Sequence, residues 1–208
     1  MRKKLPNQFL NNIRRLQEAY LSHSDPIKQS GFYGGKAQWK SEREIILNAV
    51  EKDGDFLDVG CANGYLLECL VDWAKAKGIT IEAYGVDIGA NLIALAKERF
   101  PNHGDHFWTA NAWDWVPPRK FDYVYTLSDN VPEPFIRDYL FRLLRHYVNP
   151  DGVLIVGAYG SYSKNQPAYN VAKALTDAGL IVAGQAACGE LPVTHIAWTG
   201  NVSGAMDE

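Results

Sequence analysis

From residue 55 to residue 178 the chain alternates short apolar runs with amphipathic ones, and this alternation restricts the fold more than any other feature. Runs at 55–60, 80–87, 105–109, 121–126 and 152–158 have strand length and end at turn-forming residues. Between them, 63–77, 90–99, 133–147 and 166–178 read as helices; Leu66, Leu67, Leu70, Val71 and Ala74, for example, recur at helical steps and share one face. Strands that alternate with helices form a mainly parallel sheet, joined by right-handed crossovers and covered on both faces. The end of the chain breaks the pattern. The strand-like runs 180–187 and 193–199 are joined only by CGELP, too short for a parallel crossover, so they are predicted to pair as an antiparallel hairpin. The expected fold class is a three-layer α/β domain with a seven-stranded, mostly parallel sheet, a C-terminal antiparallel hairpin, and N-terminal helices covering the mouth of the ligand site.

Ahead of the first strand, residues 7–22 place Phe9, Leu10, Ile13, Leu16, Tyr20 and Leu21 at helical spacing, and SDP stops the run. The segment KQSGFYGGKAQWK is rich in glycine and aromatics and reads as a mobile flap, with Phe32, Tyr33 and Trp39 either in an active-site lid or in the core of the N-terminal helices. A second helix is predicted over 38–51. The chain therefore divides into a helical cap and flap, 1–50, and a main domain, 51–208. At 208 residues and 47% hydrophobic it holds one well-buried core. A net charge of -3 offers no basic field for nucleic acid, so small molecules or proteins are the expected partners. Three cysteines without metal-ligand spacing, and no apolar leader after MRKK, suit a reduced, cytoplasmic protein. No run approaches the roughly 20 apolar residues of a membrane span. His23, His103, His106 and His146 show no ligand spacing along the chain, and no metal is expected. The oligomeric state is not encoded in any of these features.

The chemistry concentrates at the carboxyl ends of the predicted strands, where open α/β sheets bind ligands. FLDVGCANGYLLECL reads as strand, glycine turn and helix; a helix start offers free backbone N–H groups, and glycine lets a ligand approach the chain. It supplies Asp58, Gly60, Cys61, Ala62, Asn63 and Gly64. The next strand ends at Asp87, a carboxylate able to accept hydrogen bonds from both hydroxyls of a ribose, followed by Ile88. Asn111, Ala112 and Trp113 set an amide beside an aromatic, as a flat base requires, and Leu127, Ser128, Asp129 and Asn130 close the fourth strand.

Taken in order and spacing, FLDVGCANGY, YGVDIG, TANAW, FDYVYTLSDNVP and NPDGVLIVGAY resemble the successive motifs of class I S-adenosylmethionine-dependent methyltransferases, over roughly residues 38–200. The terminal hairpin is similar to that family's last two strands. The resemblance implies a Rossmann-like sheet and S-adenosyl-L-methionine as cofactor. It further implies that Asp58 and Gly60 to Gly64 hold the methionine portion, Asp87 the ribose, Asn111 to Trp113 the adenine, and that Leu127 and Ser128 line the sulfonium. Two positions depart from the family pattern: Ala62 stands where a middle glycine is common, and Asn111 where an aspartate is usual. A nicotinamide site would show G-x-G-x-x-G, which this turn lacks.

Methyl transfer from a sulfonium is an in-line displacement, and positioning supplies most of the catalysis. A base is needed only for an acceptor that is protonated at working pH; Asp129 is the first candidate and His195 the second. Each has a structural alternative, Asp129 as a helix cap and His195 as a packed strand residue beside Val193 and Ala197. Cys61 reads as a small side chain rather than a nucleophile. Tyr33, Trp39, Asp129 and Tyr159 are the candidate acceptor contacts, in a pocket built from 31–40, 127–134 and 159–169, with Lys36 and Lys40 near the flap. The favoured function is methylation of a small molecule. The alternatives are methylation of a protein side chain, and a sensor or scaffold that binds the cofactor without turnover. LSDNVPEP lacks the Asn-Pro-Pro-aromatic pattern resembling amino methyltransferases of nucleic-acid bases and protein glutamine.

Overall fold

In the computed structural model, residues 3–189 and 191–200 are described. Glu190 of the hairpin connection and the last eight positions of the expected main domain lie outside them. The strands are β1 Gly54–Val59, β2 Ile81–Asp87, β3 Phe107–Thr109, β4 Phe121–Leu127, β5 Val148–Tyr159, β6 Gly184–Cys188 and β7 Thr194–Gly200. They form one sheet in the order β3-β2-β1-β4-β5-β7-β6. β1 to β5 run parallel, and β7 pairs antiparallel with both β5 and β6, so the expected hairpin is present.

Side chains alternate across a strand, so each central strand feeds two cores. On one face Leu57 and Val59 join Val124, Leu154 and Val156 beneath α5 Ile136–His146 and α6 Val171–Asp177; on the other, Phe56 joins Tyr123, Ile155 and Ile196 beneath α3 Tyr65–Ala76. Leu67 and Leu70 of α3 are fully buried, each contributing about 1.5–3 kcal/mol of hydrophobic stabilisation. α4 Ala90–Arg99 lies beside α3, and Gly64 makes that approach possible: a Cβ there would sit 3.1 Å from the Ala96 Cβ, and its φ of 73° is left-handed.

Three expected helices differ, and the expected strands 152–158 and 180–187 become Val148–Tyr159 and Gly184–Cys188. The helix predicted over 38–51 is α2 Lys36–Arg43 followed by a 3₁₀ run, Glu44–Ala49. With three residues per turn, that run sets buried Ile46 and Ala49 on one face, against the core. The helix predicted over 166–178 shortens to Val171–Asp177, because Gln166 bridges back to Ser161 and Asn170 caps the start by accepting the Lys173 N–H. The helix predicted over 133–147 opens with a 3₁₀ turn, Glu133–Phe135.

α1 Asn7–Leu21 has no fully buried residue; Leu16 is 50% exposed, and the helix packs its apolar stripe only partly on the body, touching α4. α2 is fastened more firmly. Arg43 and Glu42 are both buried and pair at 3.1 Å, Thr194 of β7 donates to Glu42 at 3.3 Å, and the Arg43 guanidinium lies 3.5 Å from the Tyr159 ring centre. Among the described residues no helix is long and apolar enough to cross a membrane.

Candidate functional site

The carboxyl ends of β1, β2 and β4 open on a cavity of about 200 Å³ whose remaining wall is α1. β1 contributes Gly60 and Ala62, β2 contributes Asp87 and Ile88, and β4 and its following turn contribute Leu127, Asp129 and Asn130. Asn111 and Ala112 complete the floor beyond β3. Ile13, Leu16, Gln17 and Tyr20 of α1 face them. The exposed apolar surface of Leu16 and Ile88 is thus turned into the cavity.

The glycine turn is wound tightly. Gly60 and Cys61 N–H groups both donate to the Val86 carbonyl, and φ is positive at Gly60 (92°), Ala62 (47°) and Gly64 (73°). A side chain at Ala62 is thus held in the left-handed region, which costs roughly 1–2 kcal/mol for a residue with a Cβ. The Ala62 N–H donates to Asp87 Oδ2 at 3.0 Å and the Gly89 N–H to Oδ1 at 2.7 Å. Each carboxylate oxygen keeps a further lone pair, and the side chain lines the cavity. Asn130 braces the same floor by donating to the Val59 carbonyl and to Thr126 Oγ1.

Acidity dominates the cavity. Burial pushes the Asp58 carboxyl up to about 8, with the Asp87 charge adding to it. Asp87 and Asp129 are raised by burial as well, against opposing backbone hydrogen bonds, and the Tyr20 hydroxyl is raised to about 12 by burial and then by Asp129 and Asp87. No lysine or arginine is among the described residues that line the cavity. Such a site favours a cationic ligand with hydroxyl donors and disfavours a pyrophosphate.

Several expected site residues are placed elsewhere. Asp58 is buried beneath the floor, and the Cys61 thiol, raised well above its usual value by burial, packs under Gly85, where a Cβ would meet Sγ at 2.6 Å. Asn63 is fully buried and turned away from the cavity: its Nδ2 donates to the Pro26 carbonyl and to Gln29 Oε1, while its Oδ1 accepts the Tyr65 N–H. Trp113 is buried, with its indole N–H on the Lys3 carbonyl and its ring edge-on to Phe135, so it does not cover a base in the cavity. Asn111 Oδ1 accepts the Trp113 N–H and keeps a second lone pair, and the residue lines the cavity. Ser128 and Gly64 flank the lining without joining it.

Of the candidate catalytic pair, only Asp129 reaches the cavity. It sits in a 3₁₀ turn, Ser128–Asn130, and neither that turn nor the two helices after it carries a side-chain cap, which removes the capping alternative. His195 stands half-buried on β7 opposite Ala158 and Ala187, its Nδ1 buried without a partner and its imidazole pushed towards the neutral form by burial. Tyr33 is 66% exposed against His23, Trp39 is buried between Phe32 and Tyr65, and Tyr159 bonds Tyr125 at 2.6 Å. Lys40 is held over Trp73 and near Glu44, and Lys36 is exposed. Of the three stretches expected to form the acceptor pocket, only 127–134 lines this cavity. The expected N-terminal cover is present as α1, but Ile13, Leu16, Gln17 and Tyr20 were not singled out as its lining residues; their signal is the apolar stripe of residues 7–22, which reads equally well as a stripe packed on a core.

Residues 56–152 match the family model of a methyltransferase domain. A trans-aconitate 2-methyltransferase of Rhodopseudomonas palustris strain BisB18 is 33% identical over 102 residues, which is 48% of this chain and 36% of that protein. The match thus spans little more than a third of that relative's length. Among solved structures, the N-methyltransferase NodS from Bradyrhizobium japonicum WM9, in complex with S-adenosyl-L-homocysteine, superposes with a TM-score of 0.67 at 13% identity, covering 90% of this chain and 97% of that one. A 1,6-didemethyltoxoflavin-N1-methyltransferase from Burkholderia thailandensis, with its substrate and S-adenosylhomocysteine bound, gives 0.65 at 13% identity, covering 96% and 92%.

Proposed function

We propose that this chain, which carries a class I S-adenosylmethionine-dependent methyltransferase domain on the corresponding seven-stranded fold, methylates a small molecule. S-adenosylmethionine supplies, when bound, a methyl group already activated on a sulfonium. The chain's own part is to hold the reactants. The lone pairs that Asp87 keeps after accepting from Ala62 and Gly89 suit two ribose hydroxyls, and Ile88, Ala112 and Leu92 offer an apolar slot for a base. Asp129 and Leu127 lie on the wall that follows β4, where an acceptor would meet the methyl group. If the acceptor arrives protonated, the Asp129 carboxylate is the group on that wall able to take its proton.

One observation carries this reading: a cavity lined by Asp87 and Asp129, with no lysine or arginine among the described residues on its walls. That charge pattern suits a ligand bearing a sulfonium and an ammonium. The cover formed by α1 leaves room for a small acceptor rather than a folded chain, which supports a small-molecule substrate over a protein side chain. The relative named for trans-aconitate puts that acid on the acceptor panel, while the cavity's own acidic lining favours neutral or cationic acceptors.

Titration with S-adenosylhomocysteine, with NAD as control, tests the cofactor assignment, and transfer of labelled methyl from S-adenosylmethionine to a panel of carboxylic acids, amines and phenols tests the rest. Micromolar binding of S-adenosylhomocysteine alone is expected. Binding of NAD, or of neither, refutes the reading, and binding without transfer to any acceptor would make the protein a sensor of the cofactor.

A further inference from the structure

About 16 Å along β2 from Asp87, at the far end of the strand, three side chains from two elements converge on one point. Glu82 Oε1 lies 3.2 Å from His103 Nδ1 and 3.4 Å from His106 Nδ1. All three atoms fall within 4.8 Å of one another. We propose that Glu82, His103 and His106 bind a transition-metal dication of the zinc class.

The spacing itself supports an ion. Zinc bonds to nitrogen and oxygen of about 2.0–2.1 Å, arranged tetrahedrally, place neighbouring ligand atoms about 3.3 Å apart. The two measured Glu–His separations match that edge. Local structure explains why the two imidazoles point the same way. His103 and His106 bracket a 3₁₀ turn closed by the His106 N–H on the His103 carbonyl at 3.0 Å, and residues three apart eclipse in such a turn. The His106 ring is held by stacking on Tyr84 at 4.1 Å, so that ligand is already oriented. The Ala83 carbonyl lies 3.3 Å from His106 Nδ1 and offers a fourth ligand. Two imidazoles and a carboxylate form the His₂Glu set that zinc accepts.

An ion here would act on the edge of the sheet. β3 pairs with β2 through only three residues, from Gly85↔Phe107 to Asp87↔Thr109, and the chain leaving it carries Asn111 and Ala112 into the cavity. Clipping residues 103–106 to β2 anchors the start of that strand, so metal binding is expected to stabilise the fold without touching the cofactor wall.

Protein stripped with a chelator and titrated calorimetrically with zinc chloride provides the test, with cobalt chloride as an optical probe and magnesium chloride as control. The expected result is one equivalent of zinc at micromolar affinity, four-coordinate cobalt absorption, and a rise in Tm of a few degrees. His103→Ala, at an exposed position, and Glu82→Gln should each weaken binding at least tenfold while leaving the metal-free Tm near that of the parent. No zinc uptake below millimolar concentration overturns the proposal. So does zinc binding that is unchanged in both variants, which would place the ion on cysteines instead.

Discussion

Replacing Asp87 is the sharpest test of the cofactor assignment. Its carboxylate accepts Ala62 N–H at 3.0 Å and Gly89 N–H at 2.7 Å, and the residue lines the cavity. Hydrogen bonds to a charged group contribute about 1.5–3 kcal/mol each, so loss of two ribose contacts in Asp87→Ala removes about 3–6 kcal/mol of binding. At 1.4 kcal/mol per tenfold, the Kd for S-adenosylhomocysteine should rise between about a hundredfold and about ten thousandfold. The same change strips two backbone donors of their acceptor, which lowers stability by about 1–3 kcal/mol for each one left buried. Thermal unfolding must therefore accompany the calorimetric titration. Asp87→Asn keeps the shape and one acceptor oxygen, and is expected to fall between parent and alanine variant. A folded Asp87→Ala protein whose Kd stays within threefold of the parent would refute the ribose assignment.

The buried Asp58 carboxyl, pushed up to about 8 from an ordinary 3.8, makes stability depend on pH. Between those two values the folded state holds more protons than the unfolded state, so this group lowers stability as pH rises through that window, and its full penalty is reached above the folded value. Asp58→Asn should therefore gain Tm relative to the parent at pH 8.5 more than at pH 5 (about half a unit above the upper bound and a unit above the lower); an equal offset at both would refute the assignment. Asp129→Asn should slow methyl transfer while leaving the affinity for S-adenosylhomocysteine within a few fold, and unchanged turnover would exclude a base at this position. Arg43→Met leaves buried Glu42 without its charged partner and should cost about 3–5 kcal/mol in chemical denaturation, most of it recovered when Glu42→Gln is added; a loss under 1 kcal/mol would show that the pair is solvated.

The sheet was legible because its signals are local and repeated. Apolar runs of strand length, helical periodicity between them and a short CGELP link allow few topologies, and the observed order is one of these. Glycine positions and Asp87 were legible for a related reason: the turn needs left-handed φ at Gly60 and Gly64, and a strand end fixes where the next acid sits. Side-chain direction was not legible. Trp113 and Asn63 lie in the right loops, but a bond from the Trp113 indole to the Lys3 carbonyl and bonds from Asn63 to Pro26 and Gln29 hold them out of the cavity. Each depends on a partner far away in the chain. The same holds for the His103 and His106 pair, whose third member sits on a neighbouring strand, and for Arg43, which no spacing rule marks as buried.

Asn63 joins the floor of the cavity to its cover. With Nδ2 on the Pro26 carbonyl and on Gln29 Oε1, and Gln29 Nε2 on the His23 carbonyl, the glycine turn is tied to the segment that follows α1. These bonds hold the end of the cover against the glycine turn, so loosening them is expected to widen access to the cavity beneath α1. Association should then run well below the diffusion limit, and Asn63→Ala should quicken both arrival and departure, shortening residence time more than it changes equilibrium affinity.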